Sequence, residues 1–133
     1  MAASAGNANE DAIDHFPSNI DGVIAVAAVD RDLTKASFSN TVGSLSRPIA
    51  APGVDLLSSF IEGTYKPMSG TSMATPVVTG LLGVMRSMNP ELTTDEAYLI
   101  LHETGTEVPD TPEIGRLINA ASALERNMRT AAL

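Results

Sequence analysis

Two hydrophobic rhythms alternate along the chain. Val23-Ile24-Ala25-Val26-Ala27-Ala28-Val29 is an unbroken apolar run stopped by Asp30-Arg31-Asp32. Such a run suits a strand covered on both faces, as in a parallel sheet. Shorter apolar pieces lie around it. Met1 to Ala5 reads as the end of a strand, Ala36-Ser37-Phe38-Ser39 as a weak short strand, and Ile49-Ala50-Ala51, ended by Pro52-Gly53, as a short buried one. Gly6 to Asp21 is polar and reads as a surface loop. The stretch from Leu56 to Met68 reads as an irregular hairpin around Glu62-Gly63.

From Ser72 the period changes to 3.6. Met73, Val77, Leu81, Val84 and Met88 form one stripe, and Ala74, Val78, Leu82 and Met85 a second beside it. Two adjacent stripes predict a helix buried almost all round. Pro76 fits such a helix only near its first turn. Gly80 and Gly83, each costing about 1 kcal/mol in a helix interior, predict close packing against another backbone. Asn89-Pro90 ends the helix. Thr93-Thr94-Asp95-Glu96 is a capping box for a second helix, to about Glu103, stopped by Gly105. A loop with Pro109 and Pro112 leads to a third helix, roughly Arg116 to Arg126, and Asn127 to Leu133 reads as a frayed tail. Buried strands followed by helices predict an α/β layer architecture.

A length of 133 residues suits one domain. Sixteen acidic and eight basic residues leave a formal charge of −8, with no Lys/Arg run, which argues against nucleic acid as the main partner. With no cysteine, the chain has no disulfide, cysteine nucleophile or thiolate zinc site. No signal peptide is visible after Met1. The apolar region from Val77 to Met85 is interrupted by Thr79, Gly80 and Gly83 and is too short to span a bilayer.

The candidate chemistry lies at Gly70-Thr71-Ser72-Met73-Ala74-Thr75-Pro76. Small residues there can present a serine on a tight turn at the start of a helix. The segment resembles the nucleophile stretch of the subtilisin-like serine proteases. Ala2 to Asn7 resembles that family's strand ending in the oxyanion asparagine. Phe16-Pro17-Ser18, Val23 to Asp30, Ala36 to Asn40, Ile49 to Gly53, Tyr65 to Pro76 and Gly115 to Ala120 resemble its later segments in order. The family often has a histidine after the motif's proline; Val77 stands there instead. No Asp-Thr-Gly and no His-Gly-Thr-type motif occurs.

The resemblance implies the C-terminal part of a subtilisin-like three-layer fold over residues 1–133, with a mainly parallel sheet and a central buried helix starting at the nucleophile. The N-terminal half, with the catalytic aspartate and histidine, is expected to be absent. Ser72 would attack a peptide carbonyl, and a serine hydroxyl needs an adjacent base. Asn7 and the Ser72 N–H would hold the oxyanion, with Thr71 assisting more weakly. Met73 corresponds to an oxidation-sensitive position of the family. Plainer readings stay open: Ser72 as an N-cap, Asn7 as a turn residue, Met73 as a core methionine.

His15 and His102 are weak candidates for a base, because Asp14 beside His15 in sequence does not orient an imidazole as a convergent triad does. They also make no zinc site. No cofactor is evident; calcium at Asn9-Glu10-Asp11 has weak support against a solvated loop. The G-x-S-x-G elbow of α/β-hydrolases fails at Ala74, and Asp95 and His102 share one predicted helix. Peptide or protein is the implied substrate, secretion the implied location, and no nucleic acid or membrane partner is expected. The isolated chain is expected to be inactive. The alternative is a non-catalytic module that pairs with a complementary N-terminal chain or with itself, or a truncated gene product.

Overall fold

A computed structural model describes residues 1–132. Four parallel strands form the central sheet: β1 (Ala2–Ser4), β2 (Ile24–Val29), β3 (Pro48–Pro52) and β6 (Arg116–Leu117), in the order β1-β2-β3-β6. All six residues of β2 are buried, as the continuous apolar run requires of a central strand. Its side chains alternate between two cores. Ile24, Val26 and Ala28 face a layer of helices; Ala25, Ala27 and Val29 face loops that bring in Ala12, Val42 and Ile114. Helices, sheet and loops give three layers.

The helical layer contains α1 (Thr71–Met88), α2 (Thr94–Thr104) and α4 (Ala120–Ala131). A one-turn helix, α3 (Thr111–Ile114), lies against β2 and β3. An antiparallel hairpin, β4 (Leu56–Ser59) with β5 (Tyr65–Met68), stands out from this body; a 3₁₀ turn at Ile61–Gly63 closes it. The capping box forms as predicted. Glu96 Oε2 accepts from Thr93 N at 2.8 Å and from Thr93 Oγ1 at 2.7 Å, and Thr93 Oγ1 accepts from Glu96 N at 3.3 Å. These bonds, the hydroxyl's above all, hold the Glu96 carboxyl below its ordinary range. A lowered folded pKa gives stability above the unfolded value that is lost as pH falls through the folded one. Protection of the Thr93 and Glu96 amides, corrected for intrinsic exchange, is therefore expected to fall as pH drops below the ordinary glutamate value of about 4.3.

Several expectations are corrected. Ala36–Ser39 is a turn: Ala36 N donates to Ala28 O and Ala28 N donates to Ser39 Oγ, so the turn occupies the β2 edge beyond the end of β1. The polar loop from Gly6 to Asp21 contains a 3₁₀ turn at Ala12–Asp14 and buries Ala12 and Ser18. The third long helix starts later than its apolar pattern suggests. Arg116 and Leu117 pair with β3, and Asn119 caps α4 by accepting from Ser122 N. The tail through Ala131 is helical, anchored by buried Asn127, whose Nδ2 donates to Met85 O at 2.8 Å; Leu133 lies outside the described residues.

Helix α1 is buried on one side only. Thr71, Ala74, Val78, Leu81 and Met85 face the core, while Val77, Val84 and Met88 are 38%, 47% and 38% exposed. The predicted close packing at Gly80 and Gly83 is not found: an added Cβ meets nothing within 4 Å at either. Pro76 is the sixth residue of the helix, beyond the first turn, and leaves the Ser72 carbonyl without its usual i+4 donor.

Gly115, at φ +77°, is a position only glycine fills comfortably, because a Cβ would fall 2.6 Å from Pro48 C and O. Gly115→Ala is expected to destabilise the fold by roughly 2–4 kcal/mol, from positive-φ strain plus overpacking. A shifted urea midpoint at unchanged slope measures this.

Candidate active site

The sheet and α1 bring the two ends of the candidate site together. Gly53, just beyond β3, accepts from Gly70 N at 2.8 Å. A Cβ on Gly53 would lie 2.9 Å from Gly70 O, so the approach depends on glycine. Gly70 then starts α1 through its carbonyl, which accepts from Met73 N and Ala74 N. Ser72 is exposed as the second residue of this 18-residue helix. Its N–H is among the first four donors, which have no intrahelical acceptor, and the helix dipole adds positive potential there.

Asn7 follows β1 and Gly6 and reaches the same helix start. Its Oδ1 accepts from Thr71 N at 2.9 Å and from Thr71 Oγ1 at 2.9 Å. Thr71 Oγ1 also accepts from Gly6 N at 3.2 Å. The Asn7 carbonyl oxygen is therefore fixed, which turns its NH₂ group away from Thr71. Among the described residues Asn7 Nδ2 donates to nothing. The point where a Gly70 Cβ would sit lies 3.8 Å from Asn7 Nδ2, 3.7 Å from Ser72 N and 3.3 Å from Met73 Sδ. Two uncommitted donors and one sulfur thus border a single place that glycine leaves empty. Thr71 is fully buried, and its one hydroxyl proton is spent on Asn7. It orients Asn7 and does not itself reach the open place.

Asn40 is a further site residue that the sequence does not reveal. It is fully buried and holds the loop that carries Asn7 at three points: Oδ1 accepts from Ala8 N at 2.9 Å and from Glu10 N at 3.2 Å, and Asn40 N donates to Gly6 O at 2.9 Å. Its signals in the sequence are a polar residue closing Ala36-Ser37-Phe38-Ser39 and its place in a segment that resembles the family, neither of which shows what it binds.

The other candidates are engaged elsewhere. Ser18 Oγ donates to His15 O, so it accepts from His15 Nδ1 at 3.0 Å, and the ring packs over Gly6. His102 packs against Tyr98 on α2, ring centroids 5.8 Å apart, and Asp95 pairs with Arg47. Asn9 accepts from Lys35 Nζ, and Asp11 from Ile13 N and Ser44 Oγ. No group of three or more His, Asp or Glu converges to hold a metal among the described residues, and no helix among them is long and apolar enough to cross a membrane.

The model of the Subtilase family matches residues 1–125. The chain belongs to that family. It is 35% identical to Subtilisin DY of Bacillus licheniformis, across 94% of this chain and 46% of that protein. It is 37% identical to the halolysin-like extracellular serine protease Nep of Natrialba magadii, across 81% of this chain and 19% of that protein. Among solved structures, a protease of Pseudoalteromonas arctica superposes with a TM-score of 0.85 at 30% identity, covering 93% of this chain and 41% of that one. This subtilase chain thus spans less than half the length of these relatives. The parallel sheet and the helix that starts at Thr71 are the subtilisin-like fold.

Proposed function

We propose that the chain is the nucleophile-bearing part of a serine endopeptidase. Ser72 Oγ attacks the peptide carbonyl, and Asn7 Nδ2 and Ser72 N receive the oxyanion. The observation that carries this reading is that two uncommitted donors, Asn7 Nδ2 and Ser72 N, lie within 4 Å of one point on the same side of Gly70 at the helix start. Donors set in advance around a developing charge act without reorganisation. The hydroxyl proton must leave to a base; His15 is held through Nδ1 by Ser18, His102 lies against Tyr98 on α2, and neither is hydrogen-bonded to Ser72. The base and its orienting carboxylate therefore come from outside these residues, and the chain alone hydrolyses no peptide. The substrate is a peptide or protein, and secretion accords with the extracellular relative.

A fluorophosphonate probe tests the reading. It is expected to leave the lone chain unlabelled and to label Ser72 once the remainder of a subtilase domain is supplied. Labelling elsewhere under those conditions overturns it. Thr71→Val removes the hydroxyl link but keeps the backbone one. About 1 kcal/mol for the lost bond corresponds to a fall in kcat of about fivefold in the assembled protease, with a shifted NMR signal of the Asn7 side-chain NH₂ in the lone chain.

One observation favours a second reading, a module that pairs with a complementary chain or with itself. Val77, Gly80, Gly83 and Val84 leave the outer face of α1 uncovered, and β1 pairs only with β2 among the described residues. An open strand edge beside an apolar face favours association. Sedimentation supports this reading if the pure chain self-associates or binds the remainder of the domain. A monomer that ignores the remainder refutes it.

A further inference from the structure

The β4–β5 hairpin and the first two turns of α1 enclose a groove of about 380 Å³ that opens beside Ser72. Leu57, Met68, Met73 and Val77 give it apolar walls, and Ser58 and Ser59 supply hydroxyls. Lys66 is the one charged residue in its lining. The Lys66 ammonium lies 5.2 Å from the centroid of the Phe60 ring, a contact that steers a cation without neutralising it. Among the described residues Lys66 makes no salt bridge, and the hairpin acids Asp55 and Glu62 lie outside the groove lining. The whole chain carries −8. A peptide carboxylate is repelled by such a surface at large, which makes the one cation lining a groove that also reaches the candidate nucleophile the local exception.

We propose that Lys66 is a specificity-determining residue: the groove takes a substrate segment with apolar residues next to an acidic one, and Lys66 receives its carboxylate. The proposal rests on the endopeptidase reading for its place in catalysis, but binding to the groove needs neither the base nor the serine hydroxyl. Apolar side chains lie against Leu57, Met68 and Val77, and the carboxylate meets the ammonium at the hairpin. A single solvated ion pair is weak, so the preference is a graded one.

The test uses the ¹⁵N-labelled chain at low salt and two blocked pentapeptides, acetyl-Ala-Leu-Glu-Leu-Ala-amide and its Gln counterpart. The Glu peptide is expected to bind about two- to fivefold more tightly. It is also expected to shift the amides of Leu57, Lys66, Met68 and Ser72, and to lose its advantage as salt is raised. In Lys66→Met the order is expected to reverse, because only the overall negative charge then acts on the Glu peptide. Ser72→Ala is expected to keep the preference. Equal or weaker binding of the Glu peptide, shifts outside the groove, or a preference that survives Lys66→Met overturns the proposal. If the preference is lost in Lys66→Met and kept in Ser72→Ala, while fluorophosphonate fails to label Ser72 in the assembled domain, the groove assignment stands and the endopeptidase reading falls.

Discussion

Ser72→Ala is expected to lower turnover of the assembled protease by about 10⁶-fold, the magnitude known for the nucleophile of subtilisin itself and carried to this chain by kinship. Stability should be almost unchanged, because Ser72 is exposed and its hydroxyl has no hydrogen-bond partner among the described residues. The contrast separates a nucleophile from an N-cap. A capping serine would lose helix stability on the order of 1 kcal/mol when replaced by alanine. Here the N-cap position belongs to Gly70, which has no side chain to cap with. Thermal unfolding of the mutant chain, alongside kcat of the assembled form, decides between the roles.

Asn7→Ala carries the second large effect. Loss of the side-chain donor is expected to lower kcat by about 10²–10³, again the size known for subtilisin's own oxyanion asparagine, with KM nearly unchanged. The same change removes the acceptor for two Thr71 donors, so the chain should also lose about 1–3 kcal/mol of stability. Asn7→Asp separates the two effects. It keeps an acceptor for Thr71 but places an anion where the oxyanion forms. Stability should stay close to that of the parent, and kcat should fall at least as far as in Asn7→Ala. Were Asn7 only a turn residue, kcat would follow stability in both variants.

Much of the fold is legible in the sequence because it is local. The capping box needs four consecutive residues, and β2 is announced by its own run and its aspartate stop. The hairpin follows from turn residues between two short extended pieces. Elements that depend on distant partners are the ones that spacing misplaces. Ala36–Ser39 has strand-like composition, but its hydrogen bonds to the sheet go to one β2 residue, Ala28, through a backbone N–H and a serine hydroxyl. Arg116–Leu117 looks like the first turn of a helix because pairing with Ile49 and Ala50, far back in the chain, cannot be read from spacing. The two stripes on α1 are apolar as their period implies, yet Val77, Val84 and Met88 of the first are left exposed among the described residues.

At the site, the serine, the asparagine and their motif neighbours are visible through kinship. Their organisation is not. The bond between Thr71 and Asn7 spans 64 positions, and Asn40 reaches Ala8 and Glu10 across 32 and 30. That organisation also changes the part given to Thr71, from a weak oxyanion donor to the residue that turns Asn7 outward. Lys66 lies in the stretch from Tyr65 to Pro76 that resembles the family's nucleophile segment, but that resemblance gives it no role, and its interest arises only from the groove it lines.

The central claim is that Asn7 Nδ2 and Ser72 N converge on the oxygen formed when Ser72 reacts. The most direct measurement is a crystal structure of the assembled protease with its serine phosphonylated. The expected result is a covalent bond from Ser72 Oγ to phosphorus, with a phosphonyl oxygen within about 3.1 Å of both Asn7 Nδ2 and Ser72 N. A phosphonyl oxygen turned away from Asn7, or an adduct on any other residue, would contradict the account.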